Sequence, residues 1–367
     1  MKDFKIDFLE QIISSPSVNG TEGEGNLAKL IYNIFKSNGF NPILQPVGDA
    51  FNVILKIEGK SDRIIIWNGH MDTVPVGDIS NWNTDPYVAT VIDDYIYGRG
   101  ASDMKGGLAA QIVTIILNKD IIPENTIYFV ATCDEERGGQ GAVAFLEEYK
   151  DILEKAKLVI IGEPTNMKLG IAQKGCLWIE FTVRGKTSHG ANPSEGINAI
   201  EESYKLYNII KEDFQKYSDQ LLGHSTVSIT KIESGIANNV IPDLATFVLD
   251  IRYTESIKDI FKYIEKLVLN SKVDVVEFKT INHRIPVTLS KESSVLCRFE
   301  EITGIKEKIG ITYFTDSSVW CQKVTDLAVV LFSAGCKELA HKPNECISLT
   351  IYNYSIELYN KIYRSKI

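Results

Sequence analysis

Four short runs dominated by β-branched and aromatic residues, "FNVILKI", "RIIIWNG", "NTIYFVAT" and "KLVIIGE", punctuate the first 170 or so residues. They are set among segments whose apolar residues recur at helical spacing: "EGEGNLAKLIYNIFKSNG", "MKGGLAAQIVTIILNK" and "GAVAFLEEYKDIL". Each run is apolar on successive residues, so both of its faces must be covered. That pattern predicts an α/β fold with a mostly parallel sheet and helices on both faces.

The texture changes at Lys174. "CLWIEFTVRG" alternates as a half-buried antiparallel strand does, and a helix is expected from about Ser194. Then follow "STVSITKIESG", "LATFVLDIRY", a helix around "IKDIFKYIEKLV", and "VDVVEFKTI". The β-α-β-β-α-β order is that of a ferredoxin-like α+β module. After "NHRIPV" the α/β texture returns, with "LAVVLFSAG" as a strand and a helix from about Leu349. The expected organisation is one discontinuous catalytic domain, 1–173 and 286–367, interrupted by an inserted domain over 174–285. The chain of 367 residues is long enough for both. It contains no internal repeat or low-complexity tract.

Composition narrows the partners. A net charge of −9 opposes general binding to nucleic acid or to an anionic membrane. The N-terminal "MKDFKIDFLEQIISS" reads as an amphipathic helix and lacks the apolar stretch of a signal peptide. No segment approaches the roughly eighteen apolar residues of a membrane span. The six cysteines are scattered without a CxxC pair, as in a reduced cytoplasmic protein.

In open α/β sheets, functional groups gather beyond the carboxyl ends of strands, and here those ends carry acids and histidines. His70 and Asp72 follow "RIIIWNG", and on extended chain residues i and i+2 share a face. Asp72 is therefore expected to hydrogen-bond one imidazole nitrogen of His70, fixing its tautomer while the other nitrogen meets a ligand. Asp103 stands between a glycine-rich turn and a helix beginning near Met104. Glu135 and Glu136 end "NTIYFVAT", where two adjacent carboxylates repel unless a cation lies nearby. Glu163 ends "KLVIIGE", and His341 lies in "AHKPNE". Taken singly, each has an ordinary structural explanation: a turn carboxylate, a helix cap, a solvated loop histidine. Together they supply two imidazoles, a carboxylate able to bridge, two terminal carboxylates and a spare glutamate. That is the inventory of a two-metal hydrolase with a general base.

The segments "GHMDTVP", "GRGASDMKGG", "CDEERGG", "IGEPT", "KTSHGANPSEGINAI", "GIANNVIPD" and "AHKPNE", in this order, resemble the M20 metallopeptidase family. The nearest branch is that of acetylornithine deacetylase and succinyl-diaminopimelate desuccinylase. The resemblance implies a zinc-exopeptidase-like catalytic domain whose inserted module forms a lid and a homodimer interface. It also implies that His70 and Glu163 bind one metal, Glu136 and His341 the other, and that Asp103 bridges them. Glu135 would be the general base and Asp72 the residue orienting His70. A cis peptide would follow the bridging aspartate, at Asp103–Met104. His189 would reach the active site of the other subunit, and Asn239 and Arg252 would contact substrate. Two divalent ions per subunit are implied, zinc by expectation and cobalt or manganese as alternatives.

The implied reaction is hydrolysis of the amide of a small N-acyl amino acid, of the acetylornithine or succinyl-diaminopimelate type. A peptidase of the same family, acting on small peptides, is the alternative, and a non-catalytic metal-binding homologue a remote one. Glu163, as Glu rather than Asp, leans toward the deacylases. The acyl group and amino acid are not legible. Nor is a role for Thr315–Ser318, "TDSS", which stands where the family often has a glycine-rich turn.

Overall fold

The computed structural model describes residues 3–367 and divides into two compact units. One runs to Ile171 and resumes over Leu289–Ile309 and Thr315–Ile367; the other comprises Ala172–Thr288 and Gly310–Phe314. The short stretch before "TDSS" therefore belongs to the second unit, an excursion that the sequence reading did not foresee.

The first unit is built on a mixed sheet. Its strands lie in the order Ile43–Val47, Ala50–Ile57, Asn125–Thr132, Ser61–His70, Ala156–Ile161, Val329–Leu331 and Leu169–Gln173. The central four are parallel, as their unbroken apolar runs predict. The flanking pairs are antiparallel. "FNVILKI" departs from the expected parallel run: it pairs antiparallel with Asn125–Thr132, because the short link over 58–60 reverses the chain before Ser61–His70. A chain that turns this tightly must reverse direction, whereas parallel neighbours need a long crossover.

From Ile65 to His70 every residue is buried, as is all of Asn125–Thr132. Alternate side chains point to opposite faces, so both faces of these strands are covered. Phe129 meets Phe35 of helix Glu22–Ser37 edge-on at 5.3 Å, and Trp67 meets Tyr359 of helix Leu349–Tyr363 at 5.1 Å. Each such aromatic contributes about 1.5–3 kcal/mol through the apolar surface it buries.

The second unit has an antiparallel sheet ordered Thr226–Ser234, Leu244–Tyr253, Gly175–Arg184, Val275–Arg284. With helices Ala199–Phe214 and Ile260–Ser271 this is the ferredoxin-like order. Leu177, Ile179, Phe181 and Val183 alternate into one core with Leu206, Ile210, Ile264 and Leu267 from the two helices. The first helix starts at Ala199 rather than near Ser194, because Asn198 caps it by accepting the Ile200 N–H at 3.0 Å. Pro193–Glu195 forms a separate 3-10 turn. Among the described residues no helix is long and apolar enough to cross a membrane.

Candidate active site

Parallel strands bring their carboxyl ends to one edge of the sheet. His70 closes Ser61–His70 and is paired in register with Thr132, while Asn68 pairs with Ile161 of the strand on the other side. The turn carrying Glu135 and Glu136 and the segment carrying Glu163 thus emerge on either side of His70. Asp103 arrives from a different direction, in a turn between Gly100 and helix Gly106–Leu117, with a cis peptide at Asp103–Met104. That helix packs so closely on the strand end that a Cβ on Gly107 would lie 2.0 Å from the Gly162 carbonyl oxygen. Only glycine permits this approach, and it draws Asp103 and Glu163 together.

The result is two donor sets joined by one residue. His70 Nε2 lies 3.2 Å from Asp103 Oδ1 and 3.8 Å from Glu163 Oε1. His341 Nε2 lies 3.0 Å from Glu136 Oε1 and 3.4 Å from Asp103 Oδ2. The donor atoms of His70, Asp103 and Glu163 fall within 4.8 Å of one another, as do those of Asp103, Glu136 and His341. The structure therefore brings together all five residues expected as metal ligands. Glu135 stands beside them, 7 % exposed, and belongs to neither set.

Asp72 is placed differently from expectation. His70 Nδ1 hydrogen-bonds the main-chain carbonyl of Asp72 at 2.9 Å, and the side-chain Oδ1 is 3.7 Å away. The Asp72 carboxylate instead accepts the backbone N–H groups of Glu135 at 3.1 Å and Glu136 at 3.0 Å. An acceptor-only carboxylate satisfies the exposed donors of a tight turn better than it serves an imidazole already bonded to a carbonyl.

Charge decides what this edge can hold. Burial pushes the Glu135 and Glu163 carboxyls well above the usual range; His70 opposes this, while Glu136 and Asp316 add to it. Burial likewise raises Asp72 to about 7. Burial favours neutral Asp103 as well, but hydrogen bonds from His341 and His70 outweigh it and hold that carboxyl below its ordinary value. Burial opposes a charged His70, yet its bond to Asp103 and the carboxylates around it raise its pKa well above normal. Bonds to Asp103 and Glu136 carry His341 up to about 10. Acidic groups thus outnumber the two imidazoles, and burial favours the neutral forms of Glu135 and Glu163. A mixed imidazole and carboxylate donor set of this kind suits zinc, cobalt or manganese. The residues fit a pair of divalent ions.

Three supporting carboxylates went unassigned in the sequence. Glu24 is buried in helix Glu22–Ser37 and accepts the N–H of Asp134 at 2.9 Å, so with Asp72 it holds the whole 134–136 turn. Asp316, from "TDSS", accepts from Thr132 Oγ1 at 2.6 Å and lies close enough to raise Glu135 and Glu163. Glu345, four residues after His341, takes up the loop leading to Asp103. The quoted motifs contain two of these acids, but only their distant partners reveal a role.

His189, Asn239 and Arg252 lie in the second unit. The structure makes neighbours of the first two: His189 pairs with Val240 in a two-stranded ribbon, and the Gly190 N–H donates to the Asn239 carbonyl at 2.7 Å. Both side chains are exposed. Arg252 is half-buried on Leu244–Tyr253, where Asp250 accepts from its Nε at 2.7 Å and its Nη2 at 3.1 Å.

Comparison with known proteins identifies the family. Residues 66–365 match the model of peptidase family M20/M25/M40. An uncharacterized metallohydrolase of Methanocaldococcus jannaschii is 33% identical over 234 residues, which span 60% of this chain and 57% of that protein. A probable succinyl-diaminopimelate desuccinylase of Staphylococcus aureus is 27% identical over 398 aligned positions, covering 97% of this chain and 96% of its own. Among solved structures, an M20 family metallo-carboxypeptidase from Sulfolobus solfataricus superposes with a TM-score of 0.80 at 20% identity, covering 98% of each chain.

Proposed function

This chain belongs to peptidase family M20/M25/M40 and is a hydrolytic enzyme, and on that premise we propose that it cleaves the amide bond of small N-acyl amino acids. The observation that carries the reading is the position of Glu135, buried against two donor sets and part of neither. A carboxylate so placed, with its proton affinity raised, suits a general base. Full-length similarity to a probable succinyl-diaminopimelate desuccinylase supports the N-acyl amino acid as substrate class.

His70 and Glu163 would hold one divalent cation, Glu136 and His341 a second, and Asp103 both, with zinc expected and cobalt or manganese as alternatives. When bound, such a pair supplies Lewis acidity toward the amide carbonyl and makes water more acidic. Glu135 takes a proton from the attacking water and returns it to the leaving nitrogen as the C–N bond breaks. The products are an amino acid and a carboxylic acid such as acetate or succinate. Asp72 keeps Glu135 and Glu136 at their stations through the backbone. Arg252 pairs with the substrate α-carboxylate, Asn239 contacts the substrate, and the partner subunit's His189 donates to the developing oxyanion. This assigns catalysis to the discontinuous domain, 1–173 and 286–367, and the homodimer interface and lid to 174–285. A reducing cytoplasm suits its six scattered cysteines.

The test is a panel of N-acetyl and N-succinyl amino acids and simple dipeptides, assayed with and without a chelator. Chelator-sensitive hydrolysis of the acyl amino acids is expected. Turnover confined to dipeptides would favour the peptidase reading, which the fold similarity to the metallo-carboxypeptidase supports. Hydrolysis indifferent to chelator would overturn both.

A further inference from the structure

Glu345 is fully buried, and both of its carboxylate oxygens are spent on one loop. Oε1 accepts the backbone N–H groups of Ser102 and Asp103, each at 2.9 Å. Oε2 accepts the N–H of Gly100 at 3.0 Å and Nη1 of Arg99 at 2.7 Å. The same loop is pinned from its side chain: Ser102 Oγ donates to the Cys346 carbonyl at 2.7 Å and accepts the Cys336 N–H at 3.0 Å. Gly100 sits at φ +82°, and a Cβ there would meet Thr73 and Lys105, so the turn has little room to take another shape.

A negative charge beside Asp103 works against a site already rich in carboxylates, so its presence calls for a physical reason. Backbone N–H groups that converge on one point need an acceptor with two oxygens and several lone pairs, which an ionised carboxylate supplies and an amide does not. Arg99 supplies the countercharge, its guanidinium also lying 5.1 Å from the Trp82 ring.

We propose that Glu345 is the positioning residue for Asp103: by gathering the N–H groups of residues 100, 102 and 103 it presets the turn from which the Asp103 carboxylate faces both donor sets. The proposal rests on the reading that Asp103 is shared between two cations. Glu345 itself touches neither substrate nor metal.

Purified full-length protein, stripped of metal, is titrated with Co2+ against a chromophoric chelator, for the wild type, Glu345→Gln and Glu345→Asp. Glutamine keeps one acceptor and turns an NH2 toward two donors. Its affinity for at least one ion should fall about 10–100-fold, as is usual when a group orienting a ligand is lost. The Co2+ absorption spectrum should change with it, while the circular dichroism and Tm of the metal-free variant stay near wild type. Aspartate retains both oxygens and the charge, and should recover part of the loss. Two ions bound by Glu345→Gln with wild-type affinity and spectrum would overturn the proposal. Should the glutamine variant fail to fold, residue-resolved hydrogen exchange on metal-free wild type decides instead. The amides of Gly100, Ser102 and Asp103 must exchange slowly, and rapid exchange means the turn is not preset. A wild type that binds fewer than two ions would count against the dinuclear reading, and the exchange measurement would still judge Glu345.

Discussion

The carboxylate of Asp72 accepts the main-chain N–H of Glu135 at 3.1 Å, so the residue expected to steer an imidazole hydrogen-bonds the backbone of the proposed general base. Its second oxygen holds Glu136 in the same way. One side chain thereby sets the spacing between a proposed base and a proposed metal ligand.

Replacing Asp72 with Asn keeps the size but leaves one acceptor for two backbone donors. We expect kcat to drop about 10–100-fold, the usual effect of losing a group that orients a site, with metal content reduced less than in a ligand variant. Steady-state kinetics beside metal analysis checks this, and an unchanged kcat would remove Asp72 from the machinery.

The adjacent glutamates should separate cleanly. Glu135→Gln is expected to abolish turnover while retaining near-normal metal, because Glu135 lies outside both donor sets. Glu136→Gln should lower metal content, since its Oε1 faces His341 Nε2 at 3.0 Å. Equal metal loss in the two variants would contradict the assignment.

Metal binding should release protons. Bonds to Asp103 and Glu136 push His341 up to about 10, and His70 is also raised well above its ordinary value. Both imidazoles are therefore charged near neutrality, and a metal takes only the neutral ring. Apparent affinity must rise with pH below about 10, where His341 still has a proton to lose. Calorimetry in buffers of different ionisation enthalpy should count about one proton per imidazole displaced and a further contribution from Glu163, whose carboxyl burial holds well above its usual range; affinity that is flat between pH 6 and 8 would refute the sign.

Arg252→Lys should raise KM for N-acyl amino acids far more than for their neutral amides. Asp250 accepts from Nε and Nη2, so in the proposed role Nη1 is the nitrogen that would meet the substrate carboxylate. Lysine cannot bond Asp250 in a fork and present a donor at once. An equal effect on both substrates would make Arg252 structural.

The homodimer is tested by complementation. His189→Ala and Glu135→Gln proteins should each be nearly inactive, since a missing oxyanion donor alone costs about 100- to 1,000-fold. On subunit exchange, mixed dimers should regain one good site apiece, approaching about a quarter of wild-type activity for random pairing. No recovery after demonstrated exchange would show that His189 serves its own chain or has no such part.

Much of this protein is legible in its residues alone. Unbroken apolar runs identified the core strands, since only a strand covered on both faces tolerates them, though "FNVILKI" runs antiparallel to its neighbours, and they located His70 and the Glu135–Glu136 pair at strand ends. Alternation at "CLWIEFTVRG" identified the one-sided sheet of the second unit. What periodicity could not reveal is how the acids divide their labour. Asp72, Glu24, Asp316 and Glu345 are all buried carboxylates, and three of them bind backbone N–H groups, which nearly every residue in the chain carries. A donor present everywhere leaves no mark in sequence. Glu345 meets Asp103 across 242 positions and Glu24 meets Asp134 across 110, so only the folded chain could single out those pairs. Side-chain type and spacing determined which groups reach the sheet edge. Tertiary packing, by placing particular backbone donors within reach of particular carboxylates, decided which of them hold the site and which are left to act.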